Sequence, residues 1–264
     1  MSEPAGRVGA GERPSWSRDD IVEAVLLGVM AYACFAYYAV VVRLAAMRGT
    51  DLAPLLHTRL DDAMPYMSVF AIPYALAYVM PVWAAVVLAR EGGLPAFRRG
   101  FFGYLGLQGL HYAFYVAFPS SSFALMPSAD ALSRSMLGAW VRFFYDLSPL
   151  WNAFPSFHVA GCWFFYRVLA RWAPRPARVY HAWFWTMAVG TAAIKIHWVV
   201  DGAAGFLAAE VYYRLVQTPL EARFACDWTW DSAKARLAAH LGALAALLAG
   251  LGLATLRFGW LLQP

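Results

Sequence analysis

Two short stretches of this 264-residue chain hold residue types that nucleophilic and acid–base chemistry use, within otherwise apolar surroundings. The first is 152–160, Asn-Ala-Phe-Pro-Ser-Phe-His-Val-Ala, and the second is 195–201, Lys-Ile-His-Trp-Val-Val-Asp. His197 and Asp201 are four residues apart, so on a helical segment they share a face, and the carboxylate can hold one ring nitrogen of the imidazole. The other ring nitrogen is then free to attack an electrophile.

The first stretch has the features of a helix start. Pro155 suits the first helical position, because the N–H that proline lacks has no partner there. We therefore predict a helix that continues over 156–172. A helix start exposes unpaired N–H groups and a partial positive charge, which together attract anions. Ser156 adds a hydroxyl donor and His158 falls in the first turn, so the stretch predicts an anion site beside a titratable imidazole.

The two stretches resemble the catalytic motifs of the type 2 phosphatidic acid phosphatase superfamily. Pro-Ser-Phe-His at 155–158 and His-Trp-Val-Val-Asp at 197–201 are most similar to its inositol phosphorylceramide synthase-like, or inositolphosphotransferase, branch. Leu-Asp-Asp-Ala-Met-Pro-Tyr at 60–66 and Ile-Pro-Tyr at 72–74 are similar to the entry of that branch into its second membrane helix. The resemblance covers roughly residues 55–215.

The resemblance implies metal-free phosphoryl transfer without a cofactor. In that scheme His197 is the nucleophile and becomes a phosphohistidine, Asp201 orients it, and His158 is the general acid. We expect Ser156 and Lys195 to bind the substrate by neutralising charge on the phosphoryl oxygens. The alternative for Lys195 is that its side chain snorkels to the membrane interface.

The chain also departs from the superfamily pattern. The superfamily phosphatases carry a Lys…Arg-Pro motif before the first stretch and an arginine six residues before the nucleophile, whereas 119–133 has no Lys or Arg and position 191 is threonine. A phosphomonoester carries up to two negative charges and a diester one, so a site poor in guanidinium groups favours a diester or head-group transfer. A lipid phosphate monoester phosphatase is the alternative.

Four more polar residues are candidates for the site. Arg134 and Arg142 are the basic residues of the external loop, and Asn152 opens the first stretch; we expect all three to contact substrate. Asp146, six residues before Asn152, matches an aspartate of the family and is a candidate for indirect support of the site. Capping or loop solvation is an equal alternative for Asp146.

The composition indicates an integral membrane protein: 61% of the residues are hydrophobic, 14% are charged, and the mean hydropathy is +0.51. We predict an all-α, multi-pass helix bundle with a disordered cytoplasmic tail at 1–20, a six-span catalytic core at 21–216, and a loop with a seventh span at 217–264. A span needs about 20 residues to cross a ~30 Å hydrocarbon core. The candidate spans are 21–42, 67–89, 101–118, 156–172, 179–196, 198–216 and 237–256.

The positive charges predict the orientation of these spans. Fourteen of the 21 Lys and Arg residues fall on the side of the N-terminus, which should be cytoplasmic, and seven fall on the other side. His158 begins the fourth span and His197 follows the fifth, and these spans are antiparallel. Both histidines therefore lie at the external face, where lipid phosphate groups are found.

Other classes of function fit less well. The three cysteines have no metal-ligand or disulfide spacing, and His57, His111, His181 and His240 have no partner at catalytic spacing. The arginines at 171–178 suit a membrane-anchoring turn and not a nucleic-acid patch. A transporter would spread ionisable groups through the membrane depth. A lipid-binding regulatory relative remains an alternative to an enzyme that joins a lipid phosphate to a lipid, polyol or water hydroxyl.

Overall fold

The computed structural model describes residues 14–147, 150–223 and 233–257, and every regular element in these three ranges is helical. The prediction of an all-α fold is confirmed. Most of the predicted tail, all of 224–232 in the predicted loop, and the end of the chain from 258 lie outside the described residues.

The first half of the chain contains one long helix, three short ones and a long interrupted helix. They are α1 (Arg18–Met47), α2 (Ala53–Leu56), α3 (Arg59–Ala63), a 3-10 turn (Ser68–Phe70), α4 (Ala71–Leu76) and α5 (Met80–Ala117). The second half adds a 3-10 turn (Phe123–Leu125), α6 (Ala129–Ser133), α7 (Met136–Leu147), α8 (Phe157–Trp172), α9 (Pro174–Ala193), α10 (Val199–Tyr212), a π-helical turn (Tyr213–Gln217), α11 (Thr218–Arg223) and α12 (Ala233–Arg257).

Two segments are long and apolar enough to cross a membrane, α1 and the segment Ser68–Ala117. α1 begins three residues before the predicted span, because Ser17 and Asp20 form a capping box. The Ser17 hydroxyl accepts the Asp20 N–H at 3.2 Å, and the Asp20 carboxylate accepts the Ser17 N–H at 3.1 Å. The two apolar segments are consistent with membrane association.

α5 folds back on itself at Gly93, which has φ 65° and ψ −163°. A Cβ atom on Gly100 would lie 2.5 Å from a Leu88 methyl group, although residues 12 apart are about 18 Å apart in a continuous helix. The chain therefore reverses, giving a first limb at 80–92 and a second limb at 94–117. Glycine suits this turn because positive φ is rare for residues with a Cβ atom. The residues between the second and third predicted spans, 67–89 and 101–118, are therefore mostly helical and contain a tight turn at Gly93.

α8 lies at the centre of the helix packing and contacts α5, α9 and α10, while α1 packs against α5 and α12. Its Phe164 and Leu169 are fully buried. The start of α8 meets α10 at Gly205, where a Cβ atom would lie only 2.3 Å from the carbonyl oxygen of Ser156. This close approach brings the second turn of α10 beside the start of α8, and the Ser156 N–H donates to the carbonyl oxygen of Asp201 in the first turn of α10, so the two predicted motifs lie beside each other.

Candidate active site

Ser156 forms the N-cap of α8, and the helix proper begins at Phe157. Pro155 therefore precedes the helix. The prediction that Pro155 is the first helical residue is wrong. The reason is that the Ser156 backbone is extended and its N–H donates to the carbonyl oxygen of Asp201 at 3.0 Å. The Ser156 hydroxyl is fully buried and accepts the Val159 N–H at 3.5 Å, which is a long capping hydrogen bond.

His197 lies in the short connection between α9 and α10, and its side chain is almost fully buried. Nδ1 lies 2.8 Å from the carbonyl oxygen of Ala153. Because a carbonyl oxygen can only accept, this contact assigns the proton to Nδ1 and leaves the lone pair on Nε2. Nε2 is buried and makes no hydrogen bond to any described residue. The arrangement is that of a nitrogen nucleophile with a fixed tautomer.

Asp201 lies in the first turn of α10, whereas His197 precedes that helix, so the two do not share a helical face as predicted. They are still close, because Asp201 Oδ2 accepts the Trp198 N–H at 2.8 Å and lies 3.4 Å from His197 Nδ1. Ala153 takes the hydrogen bond at this nitrogen, and Asp201 adds a buried carboxylate next to it. Its second oxygen, Oδ1, is buried without a hydrogen-bond partner among the described residues.

His158 is the second residue of α8, and its ring faces that of His197. The two ring centroids lie 5.7 Å apart and the rings are inclined at 69°. His158 Nε2 lies 3.0 Å from the hydroxyl oxygen of Tyr74, a buried residue of α4. The structure thus brings His158, His197 and Asp201 together and adds Tyr74, which the sequence analysis did not select. Its one signal was its place in the Ile-Pro-Tyr segment at 72–74.

Backbone carbonyl groups engage the side chain of Lys195. Its ammonium group donates to the carbonyl oxygens of Asp61 at 2.8 Å and of Met64 at 2.6 Å, which leaves one of its three N–H donors. Asp61 in turn accepts the Val199 N–H through Oδ1 at 2.7 Å. The lysine and the aspartate together fix the end of α3 against the start of α10. One N–H donor remains, so the contact of Lys195 with substrate phosphate stays a prediction.

Arg134 and Arg142 are exposed, and each is paired with a carboxylate one turn away on its own helix. Arg134 pairs with Asp130, and Arg142 Nε lies 3.0 Å from Asp146 Oδ1. Asp146 is therefore the partner of a predicted substrate-binding residue and does not support the histidines directly. Exposed pairs of this kind contribute little to stability, so both guanidinium groups remain able to change partner.

A cavity of about 210 Å³ opens beside His158 and contains the predicted substrate residue Asn152 in its wall. Tyrosines dominate the wall, and its described residues include no Lys, Arg, Asp or Glu. The lining residues are Phe35, Tyr38, Tyr74, Tyr78, Gln108, Tyr112, Tyr115, Leu147, Asn152, Phe157 and His158. A pocket of this character offers hydroxyl and amide groups, and His158 is the one residue of its described wall that can become positively charged.

Comparison with protein-family models, with curated proteins and with solved structures gives no match. The likeness of the two motifs to the phosphatase superfamily therefore stands as an expectation from the sequence.

Two of the other histidines pair with carboxylates, and His111 Nδ1 lies 2.9 Å from the carbonyl oxygen of Leu107. His57 pairs with Asp62 at 2.8 Å, and His240 lies 3.1 Å from Glu23, although the sequence spacing had indicated no partner for either. In the described ranges no three His, Cys, Asp or Glu side chains are close enough to hold a metal ion together. The groups placed for chemistry are the two facing imidazoles, with Asp201 and Tyr74 behind them.

Proposed function

We propose that this chain is an integral membrane enzyme that transfers a phosphoryl group from a lipid phosphate ester through a phosphohistidine on His197. The observation that carries the proposal is a buried imidazole whose Nε2 holds the lone pair without a partner, 5.7 Å in ring centroid distance from a second imidazole. A nucleophile and an acid–base group at this separation leave room for the reacting phosphorus between them.

The reaction has two steps. His197 Nε2 forms a bond to phosphorus as the bond to the leaving alkoxide breaks, and His158 donates a proton to that alkoxide. In the second step His158 removes the proton of an acceptor hydroxyl, whose oxygen displaces Nε2 from phosphorus and regenerates both histidines. Asp201 stabilises the positive charge that the phosphorylated imidazole of His197 carries.

The charges around the site favour a phosphodiester, and so head-group transfer, over a monoester. Lys195 has one N–H donor left beside its two carbonyl partners, Arg134 and Arg142 lie in exposed pairs with aspartates, and the described wall of the cavity contains no Lys or Arg. A diester has one negative charge to neutralise where a monoester has up to two. The acceptor is a lipid, polyol or water hydroxyl.

The membrane arrangement that we propose has six core spans and a seventh formed by α12. The core spans are α1, the two limbs of α5, α8, α9 and α10. α8 has 16 residues, about 24 Å, so it is shorter than a ~30 Å hydrocarbon core, whereas α10 continues through the π-helical turn and α11 to Arg223. The N-terminal ends of α8 and α10 carry His158 and Asp201, and we place both ends in the headgroup layer of the external leaflet.

The experiment is a turnover assay on the purified full-length chain in nanodiscs, with lipid phosphodiesters and lipid phosphate monoesters as substrates. We expect the diester to release its lipid alcohol in the first step and its phosphorylated head group to pass to water in the second, and we expect both products to be lost in His197→Ala. His181→Ala is the matched control, since His181 contacts Trp163, Tyr166 and Trp185 and should tolerate the change. Monoester turnover alone would favour the phosphatase alternative. Binding of lipid phosphates without turnover of either would favour a regulatory protein.

A further inference from the structure

Three neighbouring cavities share lining residues and lie in a row that leads away from His158; we call this row the path. The first is the 210 Å³ cavity beside His158. The second, of about 70 Å³, shares Phe35, Tyr78, Phe157 and His158 with it. The third, of about 590 Å³, shares Pro81, Tyr104 and Phe165 with the second.

The path runs parallel to the helices. On α1 the lining positions move from Tyr38 in the first cavity through Phe35 to Gly28 in the third. On the second limb of α5 they move in the same direction, from Tyr112 to Phe97. Tyr38 and Gly28 are ten residues apart, so the path reaches Gly28 after about 15 Å along the helix axis.

The wall changes from hydroxyl-bearing to apolar along this path. The first cavity is lined largely by tyrosines, whereas Arg90 is the one charged residue among the described residues that line the third. Small residues such as Gly28 and Gly100 leave the third cavity open, in a size range that holds a ligand of drug size. A polar head group in the third cavity would lose its hydrogen bonds to water, because the apolar wall cannot replace them. A hydrocarbon chain has no such hydrogen bonds to lose.

We propose that the path binds one acyl chain of the lipid substrate, with the phosphate ester at the two histidines and the chain end beyond Gly28. This inference rests on the proposed function, because that function places a lipid phosphate at His197. It adds a specificity determinant, since a chain that passes Gly28 contacts more of the third cavity than a chain that ends near Ala31.

The test narrows the path with a larger side chain at position 28 and varies the length of the lipid acyl chain. A Cβ atom on Gly28 meets no atom within 4 Å, so Gly28→Leu should fold and project into the path. With lipid diesters whose chains have about 8 and about 18 carbons, we expect Gly28→Leu to lower kcat/KM roughly tenfold for the long chain and to leave the short chain unchanged. Gly242→Leu is the matched control, because Gly242 is also an exposed helical glycine with open space around it.

A second measurement locates the chain independently of turnover. A phospholipid with an 18-carbon chain, about the length needed to pass Gly28, and a diazirine at its end is photolysed with the protein in nanodiscs. We expect adducts between Trp16 and Gly28 and between Phe97 and Tyr104, reduced in Gly28→Leu. Label spread over exposed apolar positions such as Leu207 would mean ordinary surrounding lipid and would overturn the path.

The two proposals fail in different ways. Adducts along the path in a protein that turns over neither substrate would support the acyl-chain proposal and contradict the proposed enzymatic function. If Gly28→Leu changes turnover equally for both chain lengths and the label is found elsewhere, the enzymatic function would stand and the acyl-chain proposal would be contradicted.

Discussion

His197 Nδ1 lies 2.8 Å from the carbonyl oxygen of Ala153 and 3.4 Å from Asp201 Oδ2, so the nearer partner of the candidate nucleophile is a backbone group. In a Ser-His-Asp triad the carboxylate fixes the tautomer of the histidine. Here the carbonyl of Ala153 fixes it, and Asp201 contributes charge. The two functions of a triad carboxylate are thus divided between two residues.

This division predicts a moderate effect for Asp201→Asn. The amide can still accept the Trp198 N–H, and the tautomer of His197 is held by Ala153, so phosphohistidine should form more slowly because a negative charge is missing. We expect a loss of roughly 10- to 100-fold, well below the ~10⁴-fold loss seen when a triad carboxylate change produces the wrong tautomer. Single-turnover kinetics of adduct formation measures it. A 10⁴-fold loss would show that Asp201 fixes the tautomer after all.

The roles of the two histidines can be separated with a leaving group that needs no acid. With a nitrophenyl phosphodiester the departing phenolate is stable without a proton, so His158→Ala should still phosphorylate His197. Deprotonation of the acceptor then fails, and an acid-labile, alkali-stable adduct should accumulate. His197→Ala should form no adduct, as mass spectrometry of the intact protein would show. An adduct on His158 in His197→Ala would reverse the assignment.

The sequence predicted the helical class and the pairing of two motifs because both depend on local composition and spacing. Apolar runs mark helices. The helix start at Ser156 and the histidine in its first turn follow from side-chain capping, a short-range effect. Pro155 was placed wrongly inside the helix because the partner of the Ser156 N–H is Asp201, 45 positions away in sequence.

What the sequence could not supply are contacts between distant segments made by backbone groups or by common residue types. Tyr74 lies 84 positions from His158, and a tyrosine in an apolar run carries no mark of its partner. Every residue has a backbone carbonyl group, so no sequence pattern marks that of Ala153 as the partner of His197. The positive charge of Lys195 likewise indicated a contact with substrate phosphate. The backbone carbonyl groups that accept its hydrogen bonds cannot be recognised from residue types.

Tyr74→Phe removes the hydroxyl that lies 3.0 Å from His158 Nε2 and retains the ring. We expect turnover of an alkyl phosphodiester to fall about tenfold, because His158 loses the partner that orients it, while the first step with a nitrophenyl diester stays near normal. Tyr112→Phe is the control, since its hydroxyl lines the same cavity but bonds to Gln108 and to the carbonyl of Cys34. Burst kinetics separates the two steps. Equal loss with both leaving groups would mean that Tyr74 only supports the fold.

Gly205 should not accept a side chain, because a Cβ atom there would lie 2.3 Å from the Ser156 carbonyl oxygen. Gly205→Ala would push α10 from the start of α8, at a cost of about 1–3 kcal/mol in stability. We expect a lower melting temperature in detergent and slower adduct formation. Gly202→Ala, one turn earlier on the same helix, is the control, because its nearest neighbour would lie 3.7 Å away in ordinary contact. Equal behaviour of the two variants would contradict the close approach.

The orientation of the chain in the membrane can be tested with single cysteines in a background without Cys34, Cys162 and Cys226. Ala129 is exposed at the start of α6, on the side that the arginine and lysine distribution assigns to the exterior. Arg175 is exposed in the first turn of α9, on the opposite side. Serines 121 and 122 share the loop with Ala129 but are buried, so a cysteine there would report burial and not sidedness.

We expect Ala129→Cys to react with an impermeant maleimide in intact cells and Arg175→Cys to react only after the cells are opened. The reason is that α8 joins the two regions: His158 lies near its start and Arg175 just past its end, so a span at α8 must place them on opposite sides. The reverse labelling pattern would put the histidines at the cytoplasmic face, and their substrate phosphates in the inner leaflet. Reaction of both cysteines in intact cells would contradict the proposal that α8 crosses the membrane.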